Sequence, residues 1–129
     1  MKDGLNSRRG LTVAFKSNLE SKFSSQFNLP YETNKVKYTS EHTYTPDFTV
    51  AKNVFIETKG RFTSADRSKI KRVLEQNPKI IIALVFQKPQ QLISKVSITS
   101  YAVWCAKNNI PWFDINDKDG IQDFIRKHS

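Results

Sequence analysis

A proline–aspartate pair, Pro46-Asp47, is followed after a short β-rich stretch by Glu57-Thr58-Lys59. Two carboxylates and an ammonium are the working parts of a phosphodiester hydrolase. The acids hold a hard divalent cation, and the lysine orients water or offsets the charge that develops on the phosphoryl oxygens. Spacing decides whether the three meet. Asp47 to Val50 and Val54 to Thr58 flank the polar turn Ala51-Lys52-Asn53, and Asn53 can supply the left-handed residue that a three-residue hairpin loop needs. In a ladder symmetric about Lys52, Val50 faces Val54, and Asp47 faces Glu57 about 4.5 to 5.5 Å away on one face. Lys59, two residues beyond Glu57, lies on that face too. The other face collects Phe48, Val50, Val54 and Ile56, so the hairpin is expected to be half core and half site.

Opposed carboxylates on a sheet repel unless a cation sits between them, and Mg²⁺, with Mn²⁺ as a substitute, suits an all-oxygen donor set. A second ion about 4 Å away would stabilise the leaving oxygen but needs a further acid. Glu20 is the best candidate in the sequence. A plainer reading stands beside this one. Asp47 can be a turn-side acid and Glu57 and Lys59 a solvated strand face. Glu20 closes the signature Ser17-Asn18-Leu19-Glu20, in which Ser17 caps a helix and the glutamate bonds back to the Ser17 amide.

The elements that must position these residues follow from periodicity. Leu19, Phe23 and Phe27 recur at four-residue spacing, predicting a short amphipathic helix that ends near Asn28-Leu29-Pro30. Tyr31 to Thr39 reads as a strand with Lys35 and Lys37 on the face opposite Val36 and Tyr38. Glu41-His42-Thr43 leads into the hairpin, and His42 can touch a phosphate or a proton, or simply pack. Beyond Gly60 and Arg61, Thr63 or Ser64 caps a helix to about Gln76, with Ile70, Val73 and Leu74 inward. Arg67, Lys69, Lys71 and Arg72 decorate its other faces, as solvated charge or as contacts to a nucleic-acid backbone.

Lys79 to Phe86 is a continuous apolar run between prolines, which requires a strand buried on both faces with parallel neighbours. An irregular connection over Gln87 to Ile98 leads to a helix starting at Thr99 or Ser100, with Tyr101, Val103, Trp104 and Cys105 mostly in the core. Ile110 to Phe113 is a last short strand, placed at an edge by Pro111, and Gly120 breaks the chain before a terminal helix over Ile121 to Lys127. The order helix, three strands, helix, strand, helix, strand, helix gives an α/β fold with a mixed sheet flanked by helices.

At 129 residues the chain suits one domain, expected over 15–129 after a flexible basic arm over 1–14. Lys and Arg number 21 against 12 acids, and a net charge of +9 favours a polyanionic partner over mere solubility. The end of the chain, 113–129, departs from this with three bases and four acids. A single cysteine, Cys105, leaves no disulfide framework, and no run approaches the ~18 apolar residues of a membrane span. A soluble, intracellular protein without membrane or small-molecule cofactor is expected.

The pattern Pro46-Asp47 with Glu57-Thr58-Lys59 resembles the PD-(D/E)xK nuclease superfamily. The match is closer to the phage endonuclease I family of Holliday-junction resolvases. It is carried by HTYTPDF at His42 to Phe48, ETKG at Glu57 to Gly60, Asp66-Arg67, Val85-Phe86, Thr99-Ser100-Tyr101 and the Ser17 to Lys22 segment. The resemblance implies a restriction-endonuclease-like fold and an intertwined, domain-swapped homodimer that resolves four-way junctions and other branched DNA in the host cytoplasm, leaving 5′-phosphate and 3′-hydroxyl ends. It implies that Asp47, Glu57 and the Thr58 carbonyl hold one metal ion, that Glu20 and Asp47 help hold a second, and that Lys59 assists the nucleophile. Glu20 would then complete the partner chain's site. Arg8, Arg9, Lys16, Lys35, Lys37, His42, Arg61 and Arg67 are the expected DNA contacts. Two other functions fit the same residues: a nuclease of this fold that nicks or cuts duplex DNA, and a non-catalytic DNA-binding protein that uses the basic faces alone.

Overall fold

The structure, a computed structural model, describes residues 15–38 and 42–129. The arm expected at 1–14, with Arg8 and Arg9, and residues 39–41 of the connection into the hairpin lie outside the described residues. The element order is α1 (Asn18–Gln26), β1 (Val36–Tyr38), β2 (His42–Tyr44), β3 (Phe48–Ala51), β4 (Val54–Lys59), α2 (Ser64–Gln76), β5 (Ile81–Phe86), α3 (Tyr101–Lys107), β6 (Trp112–Asp114) and α4 (Lys118–His128).

Four strands form a mixed sheet in the order β3-β4-β5-β6, with β3 antiparallel to β4 and the others parallel. The apolar run at β5 is central between β4 and β6, as its two-sided hydrophobicity requires. The expected strand over Tyr31 to Thr39 is largely absent. Tyr31 makes a single bridge to Phe48, and Glu32 turns the chain with φ 48°, which an extended run cannot accommodate. Among the described residues of that span only Val36–Tyr38 forms a strand, and it pairs with β2 in a separate two-stranded sheet. Four strands therefore precede α2, not three, and the mixed sheet does not include β1.

Alternation along β4 and β5 builds a core on each side of the sheet. Phe55, Ile82, Leu84 and Phe86 pack with Ile70 and Val73 of α2, Tyr101 and Cys105 of α3, and Tyr38 and Tyr44 of the small sheet. Ile56, Ala83 and Val85 pack with Leu19 and Phe23 of α1 and Ile121 and Phe124 of α4. Both faces of β4 are thus apolar until Glu57, so the hairpin is core on both sides and site only at one end. Val103, expected in the core, is exposed, because the seven-residue α3 turns Ala102 and Cys105 inward instead. Gly120 does not break the last helix but lies within it. Its amide caps onto Asp117 Oδ1 at 3.0 Å, and a Cβ there would come within 2.2 Å of that carboxylate.

The hairpin register fixes the site. Phe48 pairs with Ile56 and Thr49 with Phe55, the alignment expected from symmetry about Lys52. Nearer the turn the ladder shifts. Ala51 rather than Val50 pairs with Val54, a bulge absorbs Val50, and Asn53 takes the left-handed conformation with φ 65°. Phe48 and Ile56 are fully buried, each contributing roughly 1.5–3 kcal/mol by burial. Both belong to the core layer under α1 and α4, and a one-residue slip would carry them out of it, so the packing that holds this register also aligns Asp47 with Glu57.

Candidate active site

Asp47 and Glu57 are both buried and linked through the hairpin backbone. The Asp47 amide donates to Glu57 Oε1 at 3.3 Å, and the Tyr44 hydroxyl donates to the same oxygen at 2.7 Å. Asp47 Oδ2 accepts from the Thr58 amide at 2.9 Å and the Thr58 hydroxyl at 3.0 Å. Its Oδ1 receives no hydrogen bond among the described residues. Lys59 Nζ lies 3.4 Å from Glu57 Oε2 and 3.4 Å from Asp66 Oδ1. Asp66 is itself fixed at the start of α2 by a reciprocal capping box with Thr63. The turn after β4 therefore returns a second carboxylate to the lysine.

Glu20 arrives from α1. Ser17 caps the helix through the Glu20 amide at 3.1 Å, as expected. The glutamate side chain does not close the box onto the Ser17 amide. Its Oε1 accepts instead from the Lys16 amide at 3.0 Å and from the Tyr31 hydroxyl at 2.5 Å. One carboxylate oxygen each of Glu20, Glu32 and Asp47 lie within 4.8 Å of one another. Glu32 reaches this cluster because its left-handed turn is tied to the hairpin by an amide bond to the Asp47 carbonyl at 2.8 Å. Lys16 Nζ balances Glu32 at 3.0 Å.

The electrostatics follow from crowding acids under an apolar layer. Burial pushes Asp47 up, and the neighbouring Glu57 and Glu20 charges push it further, to about 8, although the Thr58 donors pull the other way. Glu57 is also raised, chiefly by burial and against the pull of Lys59 and the Tyr44 hydroxyl. Burial opposes the Lys59 ammonium, but Glu57, Asp66 and Asp47 outweigh it and hold its pKa above the ordinary value. Asp66 is lowered, because the Thr63 backbone bond and Lys59 overcome its partial burial. The cluster carries more negative charge than its two lysines neutralise.

Such a site fits a hard divalent cation. Its donors are all carboxylate oxygens, one of them without a protein donor, and a bound cation would offset the cost of burying the Asp47 and Glu57 charges and the repulsion that Asp47 meets from Glu57 and Glu20.

Sequence reasoning expected Asp47, Glu57, Thr58, Lys59 and Glu20 in one site; Asp47 meets Glu57 and Thr58, Lys59 meets Glu57, and Glu20 comes close to Asp47 but groups with Glu32 rather than with Glu57. It passed over Glu32, Tyr31, Tyr44 and Asp66. Glu32 was hidden by the strand assigned over it, and only a positive φ set by the surrounding fold turns it to the site. Of the expected DNA contacts, Lys35, Lys37, His42 and Arg61 are exposed, with the His42 ring stacked 5.5 Å from Tyr38. Lys16 is engaged with Glu32, and Arg67 donates to the Phe62 carbonyl at 2.6 Å.

A hairpin end that sets Asp47, Glu57 and Lys59 together, with Glu20 of the first helix beside Asp47, suits a nuclease. Known proteins agree. The chain is 41% identical over 109 residues to Endodeoxyribonuclease 1 of Enterobacteria phage T3, covering 78% of this chain and 72% of the relative. It is 41% identical over 109 residues to Endonuclease I of Escherichia phage T7, covering 78% of this chain and 73% of that protein. The chain is an endonuclease. It belongs to the phage endonuclease I family, whose family model matches residues 1–122.

Proposed function

We propose that this endonuclease is a structure-selective endodeoxyribonuclease that resolves four-way junctions and other branched DNA, working with Mg²⁺, for which Mn²⁺ can substitute, as a homodimer. The observation that carries the chemistry is the buried Asp47 and Glu57 pair, short of positive charge and set beside Lys59. Asp47, Glu57 and the Thr58 carbonyl would hold one ion, and Glu20 with Asp47 a second, with Glu32 near enough to Glu20 and Asp47 to share that role. When bound, the metal supplies a polarised phosphoryl group and a water of lowered pKa. The chain's own residues do the rest. Lys59, kept protonated by Glu57 and Asp66, offers its ammonium to the charge that builds on the phosphoryl oxygens. Tyr44 and Thr58 hold Glu57 and Asp47 in place before substrate arrives. Hydrolysis forms one bond from water oxygen to phosphorus and breaks the bond to the 3′ oxygen, which leaves as a hydroxyl; the 5′ end keeps the phosphate.

DNA as substrate is favoured by the name of the phage T3 relative, an endodeoxyribonuclease, and branched DNA by the family resemblance. The net charge of +9 suits recognition of shape and phosphate. Cutting two strands of a junction symmetrically needs two sites, and one chain supplies one, which supports a dimer. Within a single chain α1 already delivers Glu20 to Asp47. An exchange of α1 between two copies would preserve those contacts and make each site depend on both. We assign 15–129 to one nuclease domain and 1–14, with Arg8 and Arg9, to an arm that follows the phosphate backbone. No helix of the described residues is long and apolar enough to cross a membrane, in keeping with a soluble protein of the host cytoplasm.

The test compares a synthetic four-way junction with linear duplex of the same sequence, with Mg²⁺ and with EDTA, alongside the protein's size in solution. Junction-selective, Mg²⁺-dependent cutting by a dimer is expected. Glu57→Gln should stop cutting and spare binding. Equal cutting of the duplex would replace the junction reading with that of a duplex nuclease, and metal-independent binding with no cleavage would leave only a DNA-binding protein.

A further inference from the structure

Beside the carboxylate cluster, a polar cleft of about 640 Å³ opens between the turn after β4 and the connection that follows β5. Its cations are Arg61, Lys88 and Lys95, with Gln87, Gln91 and Ser94 between them. All six of these residues are exposed, and no carboxylate lines the cleft among the described residues. None of the three cations is in a salt bridge with another described residue. A surface that gathers uncompensated cations, amides and a hydroxyl in one concavity suits an extended polyanion rather than a metal ion or an apolar partner.

Position ties the cleft to the chemistry. Gly60, on its wall, directly follows Lys59, and the Gln87 amide donates to the Lys59 carbonyl at 3.2 Å. Arg61 is two residues past Lys59, so its backbone lies within about 7 Å of the lysine's, the span of one or two nucleotides along a strand.

The connection is also built rather than loose. The Pro89 and Gln91 carbonyls accept from Ala102 and Tyr101 of α3 at 3.0 and 2.8 Å, and the Ile93 amide donates to Thr99 at 2.8 Å. Leu92 bridges Ser100. These bonds hold Lys88 and Lys95 on one platform before any ligand binds, which lowers the ordering cost of recognition.

We propose that this cleft is a phosphate subsite that grips the DNA strand next to the cleaved bond, with Lys88 and Lys95 as its principal contacts and Arg61 as the link to Lys59. The proposal rests on the reading of the protein as a DNA endonuclease. It assigns a role to the 87–99 connection, which carries none of the nuclease motif.

The experiment measures junction affinity in EDTA, where no cutting occurs, as a function of salt. Lys88→Ala/Lys95→Ala is compared with the charge-matched Lys118→Ala/Lys127→Ala on α4, across the sheet. Each phosphate contact contributes about 0.9 to the slope of log affinity against log salt, so the cleft pair should flatten it by about 2 and weaken binding at least about 10-fold near 0.1 M salt. The α4 pair should stay near wild type, and Lys88→Arg/Lys95→Arg should restore the slope. With Mg²⁺, the cleft pair should raise KM while kcat at saturating junction stays within about threefold. Equal slopes for the two alanine pairs would overturn the subsite. Cleavage by the unaltered protein reads the parent assignment separately: wild-type binding that the cleft pair weakens, without any wild-type cutting, would sink the nuclease reading and keep the cleft.

Discussion

The two halves of the acidic cluster are held in different ways. Asp47, Glu57 and Lys59 sit on one hairpin, within 13 residues of each other, and the clamps on them come from the same stretch, from Tyr44 just before it or from Asp66 just beyond it. Glu20 and Glu32 come from a helix and a turn outside the hairpin: the Tyr31 hydroxyl and the Lys16 amide hold Glu20, the Lys16 ammonium meets Glu32, and the Glu32 amide on the Asp47 carbonyl, the Thr49 amide on the Pro30 carbonyl and the Asn34 side chain on Thr49 tie this half to the hairpin. The hairpin half is rigid because a β ladder and two hydrophobic faces over-determine it. The α1 half is docked on it, through Leu19, Phe23 and Phe27 packed with Phe48 and Ile56.

Glutamine substitutions break the comparison most sharply. Glu57→Gln should lower the single-turnover rate on a junction by at least about 1,000-fold, the scale of losing a principal electrostatic group in a nuclease site. Glu20→Gln should cost less, about 100-fold, and Glu32→Gln less again, because neither directly meets Lys59. Equal losses at Glu57 and Glu20 would show that the two halves work as one unit.

Removing single hydroxyls tests the clamps. Tyr44→Phe leaves a buried carboxylate oxygen short of a donor and should destabilise the fold by about 1–3 kcal/mol in a urea titration. Tyr31→Phe should cost under about 1 kcal/mol, since Glu20 keeps the Lys16 amide and Tyr31 is only partly buried. The reverse order would place the rigid half on α1.

Proton linkage separates the halves by titration. In the metal-free chain Asp47 holds its proton up to about 8 against an ordinary value of 3.8. Its protonated form therefore favours the fold: that contribution is complete below the ordinary value and is lost as pH rises through about 8. In EDTA, Tm should fall from pH 5 to pH 9 by more than about 4 °C, roughly 1 kcal/mol in a domain of this size. Asp47→Asn should flatten the slope, and Mg²⁺ should restore Tm most at high pH, where the carboxylate is charged. The smallest effect is expected at Thr63→Ala, which loosens the cap holding Asp66 beside Lys59 and should cost about 1 kcal/mol with only a few-fold loss of rate.

Much of this was legible in the residues. The parity of Asp47 and Glu57 across a turn, the left-handed Asn53, the caps at Ser17, Thr63 and Ser100 and the two-sided apolar run of β5 are local signals, and each appears in the fold. What escaped was set by distant contacts. Tyr31 to Asn34 has strand-like composition but turns at Glu32 to meet Asp47, and His42–Tyr44 became a strand because Val36–Tyr38 was there to pair with it. Gly120 looked like a breaker, whereas its missing side chain makes room for the Asp117 cap.

By itself the sequence determined the hairpin and, through strand parity, the pairing of two acids with a lysine, because a period of two leaves little freedom over ten residues. Only the tertiary structure decided that Glu32 joins Glu20, that Tyr44 and Asp66 hold the groups on either side of them, and that a basic cleft adjoins the lysine. Those contacts join side chains of separate elements, and no local periodicity encodes the path by which a packed core brings them together.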